Sequence, residues 1–164
     1  MIPVPMKRIG LLSVGQSDPV PDSDFQQLPR VEVVDICPLD AYTHAELLEK
    51  FSPKIGELPI SSNVKSGAEI LLSHSALERE LQKGILEAEA LRLDAIVLTC
   101  SGKFDLASSR SRIVFPGQIL KEKVLQRVWC EAEKVAIIVP LDEQQGRLEK
   151  CWNARLPSEK KLNI

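Results

Sequence analysis

The chain has 164 residues, 44% hydrophobic and 27% charged, with a formal net charge of -2. That size and balance fit one domain, or one domain with a fragment of a second, and allow a sizeable core. No Lys/Arg cluster exists to bind phosphate backbones, and no apolar run of ~18 residues exists to span a membrane, so nucleic-acid and membrane partners are not expected.

The first element is apolar from Ile9 to Val14 and stops at Gly15, a buried strand followed by the turn GQSDPVPDSD. VEVVDIC, 31–37, is β-branched and short, a second strand ended by Pro38. AYTHAELLEKF, 41–51, predicts a short helix with Ala45, Leu48 and Phe51 on one face. Residues 58–73 then read as a β-hairpin with Gly67 near its turn. The clearest helix covers 74–92, where Leu77, Leu81, Ile85, Ala88 and Leu91 form a stripe at helical spacing. Ser75 with Glu78 three residues on matches a capping box, and Gly84 weakens the helix slightly.

LDAIVLTC, 93–100, is continuously apolar, as a central parallel strand is. Strand, helix, strand in that order predicts a right-handed crossover. A polar loop leads to a helix over 115–132, with Ile119, Val124 and Val128 on one side. EKVAIIVP predicts another buried strand at 135–139, and DEQQGRLEKCW another helix. The last residues, NARLPSEKKLNI, are polar and unpatterned. The expected fold class is α/β: a three-layer, mostly parallel sheet with helices on both faces. Ligands of such sheets sit outside the carboxyl ends of the strands.

Two loops belong at that edge. Cys100 ends a buried strand after Thr99, and Ser101, Gly102 and Lys103 follow it. Free backbone N–H groups and a nearby cation lower a thiol pKa and favour the reactive thiolate. The competing reading is a small buried hydrophobe, which free cysteine often is. In GQSDP, Gly15 permits close backbone approach, and Gln16 and Ser17 can hydrogen-bond a carboxylate; an ordinary polar turn has the same composition. Arg110 and Arg112 lie in the loop after the Cys100 strand, as anion holders or as solvated cations. His44 and His74 receive no role, and Cys37, Cys130 and Cys151 read as structural. No C-x-x-C pair and only two histidines occur, so no zinc site is expected. The start, MIPVPMKRIG, lacks the long apolar run of a signal peptide, which predicts a cytoplasmic, reducing setting for the thiols.

The chain resembles the AroM family, a bacterial group in the aspartate/glutamate racemase superfamily. VGQSDPVPD, FSPKIGELPI, ALERELQKGILEAEALRLDAIVLTCSGKF, RIVFPGQILKEKV and VAIIVPLDEQQGRLEKCW carry the resemblance over roughly residues 7–152. It implies two facing α/β halves, each with a cysteine at a strand end, which exchange protons with a bound carboxylate. No PLP, metal or other cofactor is implied. Cys100 matches the first-half cysteine. Gly15, Gln16 and Ser17 match the first-strand loop, and Thr99, Ser101 and Gly102 complete the implied carboxylate contacts. On this reading residues 1–130 form the first half, with the hairpin near 58–73 inserted, and 131–164 an incomplete start of the second. The polar tail departs from the family pattern, so a truncated member lacking the opposing cysteine is expected. The missing strands would leave open edges and apolar helix faces, which predicts self-association. The expected function is binding of, or action on, a small carboxylate. A non-catalytic binding or interaction module, or a degenerate remnant, is the alternative.

Overall fold

The computed structural model describes residues 5–17, 27–57, 59–131 and 141–154, without the side chains of 124–131, 143 and 147. The elements run β1 (Lys7–Leu12), β2 (Val31–Ile36), α1 (His44–Phe51), β3 (Pro59–Asn63), β4 (Glu69–Ser73), α2 (His74–Ala88), β5 (Ala95–Leu98), β6 (Arg112–Val114), α3 (Pro116–Glu131) and α4 (Asp142–Asn153). Four strands form a parallel sheet in the order β2-β1-β5-β6, and β3 and β4 form a separate antiparallel hairpin. The fold class is the expected three-layer α/β plan. The strand predicted at 135–139 lies outside the described residues.

Register explains the layering. Leu12 pairs with Ile36 on one side and Leu98 on the other, and Gly10 pairs with Val34 and Ile96. Side chains alternate along a strand, so these residues share one face. Leu12, Leu98 and Ile96 are fully buried there, in one cluster with Leu77, Leu81 and Ile85 of α2, Leu47 and Phe51 of α1, and Leu72 of the hairpin. The opposite face carries Ile9, Leu11, Val33, Ala95 and Val97. A sheet that is aliphatic on both faces needs cover on both sides.

Local chemistry moved several predicted boundaries. Helix α2 begins two residues earlier than a Ser75 cap would place it. Ser73 is its N-cap, accepting from the Ala76 N–H at 3.2 Å. Glu57, from the loop before β3, takes the Ser75 N–H at 3.0 Å and both serine hydroxyls, while Ser75 itself lies inside the first turn and is no cap. These bonds, led by the Ser73 hydroxyl, hold the Glu57 carboxyl down to about 2. Glu78 meanwhile accepts from Asp105 N and closes no capping box. The helix stops at Ala88; Glu89–Leu91 tightens to a 3-10 turn that Arg92 ends with φ +53, leaving Leu91 41% exposed.

Helix α1 starts at His44 rather than 41. Pro38–Ala41 forms a 3-10 turn, and Thr43 makes the capping box with Glu46. Its buried face is Leu47 and Phe51, four apart, while Leu48 is exposed. Ile119 is likewise exposed on α3, against the expected inward face; Val124 and Val128 carry no described side chains. The hairpin turns at Gly67, whose φ of +80 only glycine adopts without strain. Strand β6 was read as loop: three residues carry too little periodicity to be seen.

Candidate functional site at the carboxyl edge of the sheet

All four parallel strands deliver their following residues to one edge. Ser13 N donates to Ile36 O and Thr99 N to Leu12 O, each at 2.9 Å, so the ladder continues one step past the strands. Beyond that step stand the β1 loop, Cys37 after β2, the Thr99–Lys103 loop after β5, and the start of α3 after β6.

The β1 loop is occupied in holding the fold. Gly15 lies against the hairpin, where a Cβ would sit 2.8 Å from the Asn63 carbonyl oxygen. Gln16 N donates to that same carbonyl at 3.1 Å, and Ser62 Oγ donates to Val14 O at 2.9 Å. The Gln16 amide donates to Leu39 O at 3.0 Å and Tyr42 O at 2.8 Å, and accepts from Lys65 N at 3.1 Å. Ser17 N donates to Asp40 Oδ1 at 2.8 Å, and Asp40 pairs with Lys65 Nζ at 3.3 Å. Burial opposes the Asp40 carboxylate, but the bonds from Ser17 and Lys65 outweigh it and hold the carboxyl below its usual range. Gln16 and Ser17 therefore fasten three segments together. Sequence reasoning missed Ser62, Asp40 and Lys65 here, because nothing local marks their convergence.

Cys100 stands on the core side of the edge, half-buried against the main cluster. Burial pushes its thiol above the ordinary value, and the Gly102 N–H, 3.2 Å from Sγ, pulls only partly the other way. That corrects the expectation of a lowered pKa. Lys103 supplies no compensating charge: its side chain is exposed, and its carbonyl accepts from His74 Nε2 at 2.7 Å. The His74 ring also stacks on buried Phe104, with centroids 4.7 Å apart. His74 thus pins the far end of the Cys100 loop, a role the sequence did not signal.

Thr99 and Ser101 are exposed at the mouth; Thr99 Oγ1 bonds Leu12 O at 3.2 Å, and the Ser101 hydroxyl has no partner among the described residues. Helix α3 starts against Ser101. A Cβ at Gly117 would lie 2.4 Å from the Ser101 carbonyl oxygen. Where they meet, Ser101, Pro116, Gly117, Ile119, Leu120 and Lys123 line a groove of about 360 Å³.

Other candidates fall elsewhere. Arg112 opens β6 opposite Ala95, and Arg110 faces Glu89, so both lie at the amino edge of the sheet, away from Cys100. Cys37 does reach the carboxyl edge, two strand spacings or roughly 10 Å from Cys100. Burial, then Asp40 and Asp35, push its thiol up to about 11. Cys151 sits on α4 beside Lys121 Nζ at 3.6 Å, and the Cys130 side chain is outside the described residues. No group of three metal-ligating side chains occurs among the described residues. No helix among them is long and apolar enough to cross a membrane.

The family model described as AroM protein matches residues 9–162. The match runs past Trp152 to residue 162, within the polar tail. No curated protein and no solved structure matches the chain. The matched span takes in every described helix and strand except Lys7 and Arg8 of β1, and the chain belongs to the AroM family.

Proposed function

We propose that this AroM-family chain binds a small carboxylate at the carboxyl edge of its sheet, beside Cys100 held as a neutral thiol. The setting of Cys100 carries the reading. A half-buried thiol, raised by burial, lies in the chain between the exposed residues Thr99 and Ser101, with α3 closing against the same loop. The Thr99 hydroxyl hydrogen is engaged by Leu12 O, so the Ser101 hydroxyl is the side-chain donor left for a carboxylate, and a neutral thiol suits proton donation rather than standing base catalysis. One such reaction needs a single thiol. Loss of CO2 from a bound carboxylate leaves a carbanion; the carbanion takes the thiol proton, and the thiolate regains one from water. Racemase-superfamily descent, a cytoplasmic setting and self-association belong to the same proposal.

A second reading, a non-catalytic module or degenerate remnant, is favoured by Gln16. Its amide is filled by Leu39, Tyr42 and Lys65, so it has nothing left for a ligand.

Alkylation by iodoacetamide, followed by peptide mass spectrometry, tests both readings. Cys100 should react slowly at pH 7, with a midpoint above the free-thiol value of ~8.5. Cys37 should titrate later, near about 11. A saturating carboxylate ligand should shield Cys100 and leave Cys151 unchanged. Fast reaction at pH 7 with no shielding by any carboxylate would defeat the proposal. If shielding occurs and Cys100→Ser leaves a measured turnover intact, the proton-donor role is lost and the binding reading remains.

A further inference from the structure

We propose that His74 is the positioning residue of the Cys100 thiol, and that it acts through the ring of Phe104 on the Gly102 turn. The proposal rests on the reading of Cys100 as a neutral proton donor and names what keeps the thiol in place.

A register between a helix and a loop carries it. Residues 103–107 alternate exposed and buried, with Phe104 and Leu106 in the core, as an extended chain does. This strap runs along one face of α2. Lys103 O accepts from His74 Nε2 at 2.7 Å, and Glu78 accepts from Asp105 N at 2.7 Å. The Gln82 amide donates to Ala107 O at 2.8 Å and accepts from Ala107 N at 2.9 Å. Positions 74, 78 and 82 lie on successive turns of the helix, and 103, 105 and 107 are alternate residues of the strap. Four helical residues advance roughly 6 Å. Two extended residues advance roughly 6.6 Å. The spacings match, so each turn of α2 meets the backbone of a residue that faces it. Past the end of the helix, Glu89 accepts from Ser109 N at 2.7 Å and fastens the far end of the strap.

The His74 end is the one that bears on Cys100. The His74 ring lies flat on Phe104, 7° from parallel, with centroids 4.7 Å apart. The edge of Phe104 in turn reaches Gly102: a Cβ there would lie 3.0 Å from Phe104 Cε2 and 3.3 Å from Cys100 Sγ. Ring edge and thiol thus crowd the same side of Gly102, whose N–H lies 3.2 Å from Sγ. A carbonyl oxygen accepts only, so His74 Nε2 carries a proton and the clip holds in either charge state of the ring. The charged groups at this end are Lys103 and Asp105 on the strap, with Glu57 and Glu78; Glu57 is engaged by Ser73 and Ser75, and Glu78 by Asp105 N. Burial raises the Cys100 pKa, and the Gly102 N–H opposes it in part. What His74 alters is therefore packing around the thiol, not charge.

Iodoacetamide labelling of Cys100 across pH, on the full chain, decides this, with circular dichroism and denaturant midpoints to show that each variant is folded. His74→Ala should raise the rate at pH 7 by about fivefold or more, because each unit lost from a thiol midpoint above pH 7 gives about ten times the thiolate. Gln82→Ala, which unclips the strap further along, should lower the denaturant midpoint by a similar amount and leave the Cys100 profile as in the wild type. His74→Phe keeps a ring over Phe104 but no donor; water replaces the donor at exposed Lys103, so the wild-type rate should return. His74→Gln keeps a donor but no ring, and should stay fast. A Gln82→Ala chain as fast as His74→Ala would mean general loosening of the strap and overturn the proposal. So would a wild-type rate in His74→Ala, or restoration by His74→Gln rather than His74→Phe. If His74→Ala does not fold, the His74→Phe and His74→Gln pair decides alone. Each of these failures leaves the neutral thiol standing. A wild-type Cys100 that already reacts fast at pH 7 defeats that reading instead, and the proposal with it, before any variant is compared.

Discussion

Gly117→Ala should destabilise the chain by about 1–3 kcal/mol and loosen the loop that carries Cys100. The added Cβ would meet the Ser101 carbonyl oxygen at 2.4 Å, its carbon at 3.0 Å and its Cα at 3.2 Å. All three are backbone atoms, so no side chain can rotate away. Either α3 slides outward or the Ser101 backbone retreats, and both moves act on the residue next to Cys100. Denaturant midpoints give the stability change, and the alkylation rate of Cys100 at pH 7 gives the local one, which should rise. Gly146→Ala on α4 is the matched control: nothing lies within 4 Å of its Cβ. It should be neutral or slightly stabilising, because alanine in a helix is favoured over glycine by up to about 1 kcal/mol. Equal behaviour of the two variants would mean that α3 does not seat on Ser101.

The contrast between these glycines shows what a sequence can and cannot disclose. Gly67 was readable, since a glycine between two strand-like runs serves a turn, and its φ of +80 follows. Gly117 gave no such sign; its constraint is a backbone 16 positions away, brought close only by the β5–β6 pairing. Buried strands and the long amphipathic α2 were legible because periodicity is local and repeated. Leu77, Leu81 and Ile85 are fully buried as the stripe required. Strand β6 was not legible, because its three residues hold too little pattern, and with it the place of Arg110 and Arg112 at the amino edge stayed hidden.

The site divides in the same way. The position of Cys100 at a strand end follows from the apolar run before it. The sign of its pKa shift does not. Adjacent Gly102 and Lys103 suggested a lowered value, but burial is a property of the assembled core and it prevails. Gln16 likewise looked available for a ligand until Leu39, Tyr42 and Lys65, 23 to 49 positions away, filled its amide. Charges and donors counted in sequence are capacities; the fold decides which remain unspent.

Leu98→Ala should have the larger effect on stability, about 2–5 kcal/mol. Leu98 is 0% exposed, ends β5, and pairs across the sheet with Leu12, also 0% exposed. Its removal leaves a cavity between sheet and α2 that rigid neighbours on both sides cannot close. Measured against a typical domain stability of roughly 5–15 kcal/mol, that is a large share. Val97→Ala, on the half-buried opposite face, should cost clearly less. The cavity also reaches the site. Cys100 packs on the same core cluster two residues further on, and burial is the main cause of its raised thiol pKa. Opening that packing to water reduces the penalty on the thiolate, so the pKa should fall toward the free value. Cys100 in the variant should then alkylate faster at pH 7 under conditions where circular dichroism shows the chain still folded. Cys37, whose shift comes from its own burial and from Asp40 and Asp35, should not change. A variant that loses stability while Cys100 keeps its wild-type pH profile would separate the thiol from the core, and burial would no longer explain its protonation.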